Sequence, residues 1–470
     1  MALTCDEAGC QRGGAPRWQA SEVRGAGEGL RQRSELSPST ESPDGPQMPD
    51  HEPQPSSGFP KAALGIAMLA IGVVAGCVAV DDRAAVPVDL AAGARLRHFQ
   101  LARVWGDQTT PEIRAMLDAQ YRQTKAAAGS ARRPAEALNK ADFLAISGGG
   151  ADGAYAAGVL VGWSERGDRP RFEVVTGVST GALAAPFAFL GSRYDDGLRQ
   201  IFTLYGDKDI YTSLGLFGLA GHSLSDNTPL RALIDRYLTD NMIDEIATEY
   251  RAGRRLLVQT TNIDAQRPVT WDLSAIAASG RPERRKLMID VLLASAAIPA
   301  VFPPVRIAVE AGGDAREELH VDGGTVAQLF FAPPEIRLGA YERRHFGHIR
   351  SRRIFLIRNG RLHPQYAKTP ETTIAIARRA IETIVKYQAI SDLARIKSHA
   401  TAALAQLRFL AIPTAFSEAP KSEFDRDYMQ RLFEVGRRLG REGAWSDDPP
   451  LTAALAVRNN WQVPIGFQPR

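Results

Sequence analysis

Cysteine is almost missing from this chain of 470 residues: Cys5, Cys10 and Cys77 are the only three, and all precede the first segment with a folding pattern. A disulfide framework and a cysteine-based metal site are therefore closed to the core. The eight histidines fall at no HExxH or comparable spacing, so neither a structural nor a catalytic metal is expected, and nothing calls for a cofactor. Charge of one sign is lacking too. The net charge is only +4, and the basic residues are dispersed as Arg132-Arg133, Arg254-Arg255, Arg284-Arg285-Lys286 and Arg352-Arg353. These read as solvated faces; a nucleic-acid footprint would gather cations in one groove among aromatics, so no nucleic-acid partner is expected. A weak attraction to anionic lipid headgroups fits better. No internal repeat is visible, and nothing speaks to oligomeric state. With 44% hydrophobic and 23% charged residues, the composition is that of a globular protein able to bury a large core.

Long apolar runs are as scarce as cysteine. Residues 1–60, rich in Gly, Pro, Ser, Arg and Glu, cannot offset the entropy of folding and read as a disordered or wrongly included leader. Residues 61–77 then form an uncharged apolar run after Lys61, ending Val74-Ala75-Gly76-Cys77. The length suits a signal-peptide core, and the ending resembles a bacterial lipobox, in which the cysteine is lipidated. That resemblance implies a protein tethered to the bacterial cell envelope through Cys77, and Val78 after it offers no aspartate-type retention signal, which points to the outer membrane. The run continues through Val80, so a single-span anchor of minimal length is the alternative, and a buried helix a third reading. Translation is expected to begin near Met48, which shortens the leader.

Residues 78–140 read as a linker with a helical extension: Thr109-Thr110-Pro111-Glu112 has the capping residues and early proline of a helix start, and helix formers run to about Ala128. From Phe143 onward, strand-like runs at 143–147, 172–176, 256–260 and 354–357 alternate with helical stretches, the pattern of an α/β domain with a largely parallel sheet. Ile381, Ile384, Val385, Ala389, Leu393 and Ile396 recur at helical spacing and read as core packing. The apolar, glycine-broken segment 214–220 is a candidate lid, or equally a packed loop.

Three motifs carry chemistry. Val174 to Leu183 spells a strand, the turn Gly177-Val178-Ser179-Thr180-Gly181 and a helix start. Such an elbow holds a nucleophile on a strained turn at a helix N-terminus, with small neighbours to avoid clashes; a purely structural turn is the bland alternative. Upstream, a strand enters Ser147-Gly148-Gly149-Gly150-Ala151-Asp152-Gly153. Glycines let successive amides aim at one point, as an oxyanion hole requires, yet Gly148, Gly150 and Gly153 also spell a dinucleotide fingerprint. The third motif, Val321-Asp322-Gly323-Gly324, ends a short strand in an acid and is also good turn chemistry.

The order GGGxxG, GxSxG, DGG resembles the patatin-like phospholipases, and the blocks 154–160 and 294–304 extend the likeness over about 141–335. What the resemblance implies is a three-layer α/β/α fold with a mostly parallel central sheet. It also implies a Ser-Asp dyad of Ser179 and Asp322, with Gly148, Gly149 and Gly150 forming the oxyanion loop and Gly153, Gly177, Gly181, Gly323 and Gly324 supporting the motifs. The catalytic core would span 141–335, with 336–470 completing the domain. The substrate would be a lipid or phospholipid ester met at a membrane surface. Asp152 departs from the pattern, since many family members carry Arg or Lys there, so a phosphate-selecting cation is missing at that point.

Other functions compete. A Ser-His-Asp hydrolase would draw its histidine from His345, His348, His363 or His399. A nicotinamide oxidoreductase would use Glu165, Asp168 or Glu173 as ribose acid, leaving two motifs unexplained. A lipid-binding lipoprotein on an inactive hydrolase scaffold is the non-enzymatic reading.

Overall fold

The computed structural model describes residues 83–449 apart from 214–222, 224 and 334. The leader, the apolar run with Cys77, Met48 and the candidate lid 214–220 lie outside the described residues. Among those described, no helix is long and apolar enough to cross a membrane.

A nine-stranded sheet organises the described chain in the order β1 (Arg103–Trp105), β7 (Arg267–Asp272), β6 (Arg255–Asn262), β3 (Val174–Val178), β2 (Lys140–Ile146), β10 (Ser351–Arg358) and β11 (Gln406–Ala411). Off this path, β8 (Val305–Ala311) pairs with β9 (Asp314–Asp322), which also pairs antiparallel with the end of β6. A separate two-stranded ribbon joins β4 (Thr212–Ser213) to β5 (Ser225–Asp226). The five central strands from β6 to β11 are parallel. Their apolar side chains are buried on both faces, the condition under which all-parallel pairing is stable. Ile146, Val175, Leu256 and Val258 join one core cluster; Phe143, Val174, Ile354 and Leu356 join a second across the sheet. Helices cover both sides, so the expected α/β/α layering is what the chain forms.

Of the four strand runs read from the sequence, all are strands, with each end displaced by one to three residues. The helix Pro111–Gly129 starts where its signals placed it: Thr110 Oγ1 accepts from Ile113 N–H at 3.4 Å. Within the stretch read as a linker, β1 pairs with β7 at the sheet edge, and Ala94, Leu96 and Trp105 are core residues. The helix Gly153–Arg166 is buried from Gly153 to Trp163 and packs on the helix Arg426–Glu442. A Cβ at Gly158 or Gly162 would come within 2.0 or 1.9 Å of the Phe433 or Arg437 carbonyl oxygen, so only glycine permits that crossing.

Two expectations fail. Arg133, Arg254, Arg255 and Arg352 are buried, not solvated. They cluster where the parallel strands begin. Glu173, just before β3, takes Arg133 Nη2 at 3.1 Å and Arg350 Nη2 at 2.8 Å, and Glu342 takes Arg350 Nε at 3.1 Å and Arg352 Nη2 at 2.9 Å. A dipeptide shows charge but not strand position, and Arg255 opens a strand lying between β3 and β7. The apolar stripe read as core packing is core only in part. In the helix Thr373–Ala402 the buried residues start at Ala389, whereas Ile381 and Ile384 are 61% and 65% exposed. At 1.5 Å per residue this 30-residue helix is about 45 Å long, but β10 and β11 have eight and six residues, about 20 to 26 Å. Its first half overshoots the sheet.

Candidate active site

The turn at the end of β3 places the nucleophile candidate. Ser179, between Val178 and the helix Thr180–Leu190, has φ 55° and ψ −127°. That left-handed backbone costs about 1 to 3 kcal/mol for a residue with a side chain, and the surroundings hold it. Ser295 Oγ, at the end of the helix Arg284–Ser295, accepts from Ser179 N–H at 3.0 Å and donates to the Gln259 carbonyl at 2.7 Å. A Cβ at Gly177 would meet Gly181 O at 2.5 Å, and one at Gly181 would meet Ile146 O at 2.4 Å, so the elbow closes only with glycine on both sides.

Asp322 arrives from the far side. It ends β9 opposite Thr260 of β6, and Ser179 Oγ donates to its Oδ2 at 2.6 Å. Gly324 N–H donates to Oδ1, also at 2.6 Å, across the short turn Gly323–Thr325. Both side chains are buried, and no cation stands beside the carboxylate among the described residues. Burial pushes its pKa up to about 7, even though the hydrogen bonds from Ser179 and Gly324 pull it down. A charged form deprived of water, with no opposite charge to replace it, is disfavoured.

The glycine loop follows β2. Gly148 N–H donates to the Gln328 carbonyl at 3.3 Å, so Gly148 shapes the loop. The amides of Gly149 and Gly150 have no acceptor among the described residues, and Gly150, with φ +55°, lines the same cleft as Ser179. Behind the loop, Arg358 Nη1 donates to Gly148 O at 2.9 Å, Asn359 Nδ2 to Ser147 O at 2.7 Å, and Asn359 Oδ1 accepts from Ala156 N–H at 3.0 Å. Asp152 is half-buried and accepts from the Tyr428 hydroxyl at 2.5 Å, and desolvation pushes its carboxyl up. It ties the first turn to the helix Arg426–Glu442. Gly153 opens the helix behind the loop and lies close to Thr180.

Sequence reasoning assigned no role to Ser295, Gln328, Arg358 or Asn359. One signal existed for the last two: they end or follow a strand-like run in an α/β pattern, and sites gather at the carboxyl ends of such strands.

Beside Ser179 opens a cleft of about 860 Å³ of empty volume, open solvent included, with walls of Leu183, Phe187, Ile201, Leu230, Ile234 and Phe302 among others. Its few hydroxyls include Thr180 and the mutually bonded pair Tyr205 and Tyr237. An alkyl chain could be desolvated there with its carbonyl at Ser179.

The competing residues are engaged elsewhere. His345 pairs with Asp118, His348 with the Leu138 carbonyl, His399 packs edge-on against Phe331, and the His363 carbonyl accepts from Lys386. None touches Ser179 or Asp322. Glu165, Asp168 and Glu173 are held by Arg437, Arg166 and the Arg133 and Arg350 pair. Among the described residues no group of three or more His, Cys, Asp or Glu could hold a metal ion.

The family model of the patatin-like phospholipases matches residues 144–333. That stretch is similar to a patatin-like phospholipase domain. It holds all three motifs and supports lipid hydrolase activity, while β10 and β11, with Arg358 and Asn359, lie beyond it. No curated protein matches the chain significantly. Among solved structures it is similar to VipD from Legionella pneumophila, at 12% identity, TM-score 0.34 and coverage of 66% of this chain and 67% of that one. It is also similar to human GIVD cytosolic phospholipase A2, at 10% identity, TM-score 0.31 and coverage of 75% of this chain and 65% of that one. The chain thus spans just under two thirds of the human enzyme's chain.

Proposed function

We propose that the protein is a serine lipid acyl hydrolase of phospholipase A, lysophospholipase or esterase type, with Ser179 as nucleophile and Asp322 as base. The observation that carries this reading is the 2.6 Å Ser179 to Asp322 hydrogen bond beside an apolar cleft. Asp322 takes the Oγ proton as Ser179 attacks the ester carbonyl carbon, and the carbonyl oxygen becomes an oxyanion facing the Gly149 and Gly150 amides. Collapse expels the alcohol, which takes the proton from Asp322. Water then attacks the acyl-serine and gives its proton to Asp322; the fatty acid leaves as Ser179 recovers a proton. Each oxyanion donor contributes about 3 kcal/mol to such a step, and a base titrating near neutrality combines availability with strength. Asp152 is a carboxylate bound to Tyr428, so this position supplies no cation for a phosphate group.

The test is fatty-acid release from a lipid extract, with a fluorophosphonate probe as second readout. Wild type is expected to release acids and take the label, and Ser179→Ala to do neither. A folded wild type that stays unlabelled and releases nothing would leave a lipid-binding protein instead. The proposal extends to localisation: Cys77 is lipidated and tethers the enzyme to the bacterial cell envelope, with a single-span anchor through 61–80 as alternative. N-terminal mass spectrometry of native protein decides it. A diacylglyceryl-modified Cys77 at the terminus supports the tether; peptides from 1–47 would refute both lipidation and a start near Met48.

A further inference from the structure

The exposed half of the helix Thr373–Ala402 has a use that core packing does not explain. Ile374, Ile376, Ile381, Ile384 and Tyr387 are between 50% and 82% exposed. With 3.6 residues per turn, these five fall within an arc of about 160°, and Arg378, Arg379, Glu382 and Lys386 occupy the opposite side. In the second half the direction reverses. Ala389, Leu393, Ile396 and Ala400, which are buried, project roughly where the arm carries its charges. The apolar side therefore faces the sheet in the rear half and away from it in the front half.

Contacts agree with that geometry. Arg378 reaches Glu423, and Lys386 donates to the His363 carbonyl, so the charged flank is anchored to the body at its edge while Arg378 stays 68% exposed. The arm also projects past the edge where the site sits: it follows the carboxyl end of β10, and Gln388 near its root accepts from Gln328 Nε2 at 3.2 Å, while Gln328 donates to the Gly324 carbonyl.

We infer that this arm is an interfacial helix that seats the enzyme on a lipid bilayer with the isoleucine face among the acyl chains. The occupant is chosen by two features. An apolar face opposite a cation-bearing one is the signature of a helix lying in a headgroup layer. Between residues 359 and 388, with the buried Arg361 left aside, Lys368, Arg378, Arg379 and Lys386 outnumber Glu371 and Glu382, which suits anionic headgroups. Choosing a bilayer also rests on the lipid-hydrolase reading, since a membrane lipid must pass from the bilayer to the cleft beside Ser179.

Two measurements on the full chain test it. Ile381→Asp combined with Ile384→Asp is expected to lower turnover of phospholipid in phosphatidylglycerol vesicles at least ten-fold and to leave turnover of a soluble short-chain ester within two-fold. Equal effects on both substrates, or none on vesicles, would overturn the inference. For the second, Ile384→Cys is labelled with a polarity-sensitive dye in a chain with Cys5, Cys10 and Cys77 changed to Ser. The dye is expected to shift to the blue, and to be quenched by a lipid-borne quencher, only when vesicles are added. Unchanged emission with vesicles would sink the proposal. So would a blue shift before vesicles are added, which would reveal a second copy if it depends on concentration, or another segment of the chain if it does not. Absence of soluble-ester turnover in wild type would count against the hydrolase reading alone, since the dye reports docking independently.

Discussion

Glu173 and Ser179 flank the two ends of β3, six positions and about 20 Å apart, and the regions around them treat a buried carboxylate in opposite ways. At the rear, Glu173 lies among Arg133 and Arg350, and although burial alone would raise its pKa, those guanidinium groups hold it below the usual carboxylate range. At the front, Asp322 has two hydrogen bonds and no cation, and its pKa rises to about 7. Equal burial thus yields a locked charge in one place and, in the other, a carboxyl poised near neutrality for the proposed role of base. What separates them is whether a guanidinium accompanies the carboxylate into the interior.

The largest effect that sharpens this contrast is at the front. Ser179→Ala should lower kcat about 10⁴-fold or more, as removal of a serine nucleophile does elsewhere, with the unfolding midpoint nearly unchanged. Steady-state kinetics beside a urea titration checks it; comparable loss of stability would mean that the serine is structural. At the rear the pattern should invert. Glu173→Gln strands Arg133 and Arg350, and breaking such a buried set costs about 3 to 5 kcal/mol, while activity per folded molecule persists.

How far the sequence disclosed this contrast depends on the kind of information each end needs. The front was legible, because a strained elbow and a row of close amides demand glycine at Gly177, Gly181, Gly149 and Gly150, and glycine is visible as a letter. Asp322 was legible by its motif. Ser295 was not: a hydroxyl that braces a backbone amide leaves no mark at a fixed offset from Ser179, 116 residues away. The rear was misread for a similar reason, since Arg254-Arg255 looks the same on a surface as at the start of a central strand. The stripe from Ile381 to Ile396 has one period but two environments, because helix length relative to the sheet, rather than spacing, decides where the core ends.

Acid titration separates the two ends further. Asp322 has a folded pKa of about 7 against roughly 3.9 unfolded. Its charging destabilises the fold: below about pH 4 there is no penalty, stability declines as pH rises toward 7, and the full penalty stands above that. Asp322→Asn should therefore be inactive yet more stable than wild type at pH 8, by as much as about 4 kcal/mol, and equal to it at pH 4. Glu173 contributes with the other sign; its stabilisation is complete above the unfolded pKa and is lost as pH falls through the folded one. Wild-type kcat/KM should in turn drop about tenfold per pH unit below about 7. A limb near pH 4 would show that Asp322 is not the group being titrated in catalysis.

The smallest expected effect belongs to the brace. Ser295→Ala frees Ser179 N–H from its side-chain acceptor, a loss of about 1 kcal/mol, and kcat should fall several-fold with KM nearly constant. An equal change in KM would point to a distorted cleft rather than a loosened elbow.

Ser179 and Asp322 are 143 residues apart, and the Ser147 carbonyl is gripped by Asn359, 212 positions later. A chain emerging from the ribosome therefore holds its reactive hydroxyl long before it holds a base, and longer still before the amide cradle is fastened. On the proposed dyad, hydrolysis therefore waits until the second half of the molecule has been synthesised and seated.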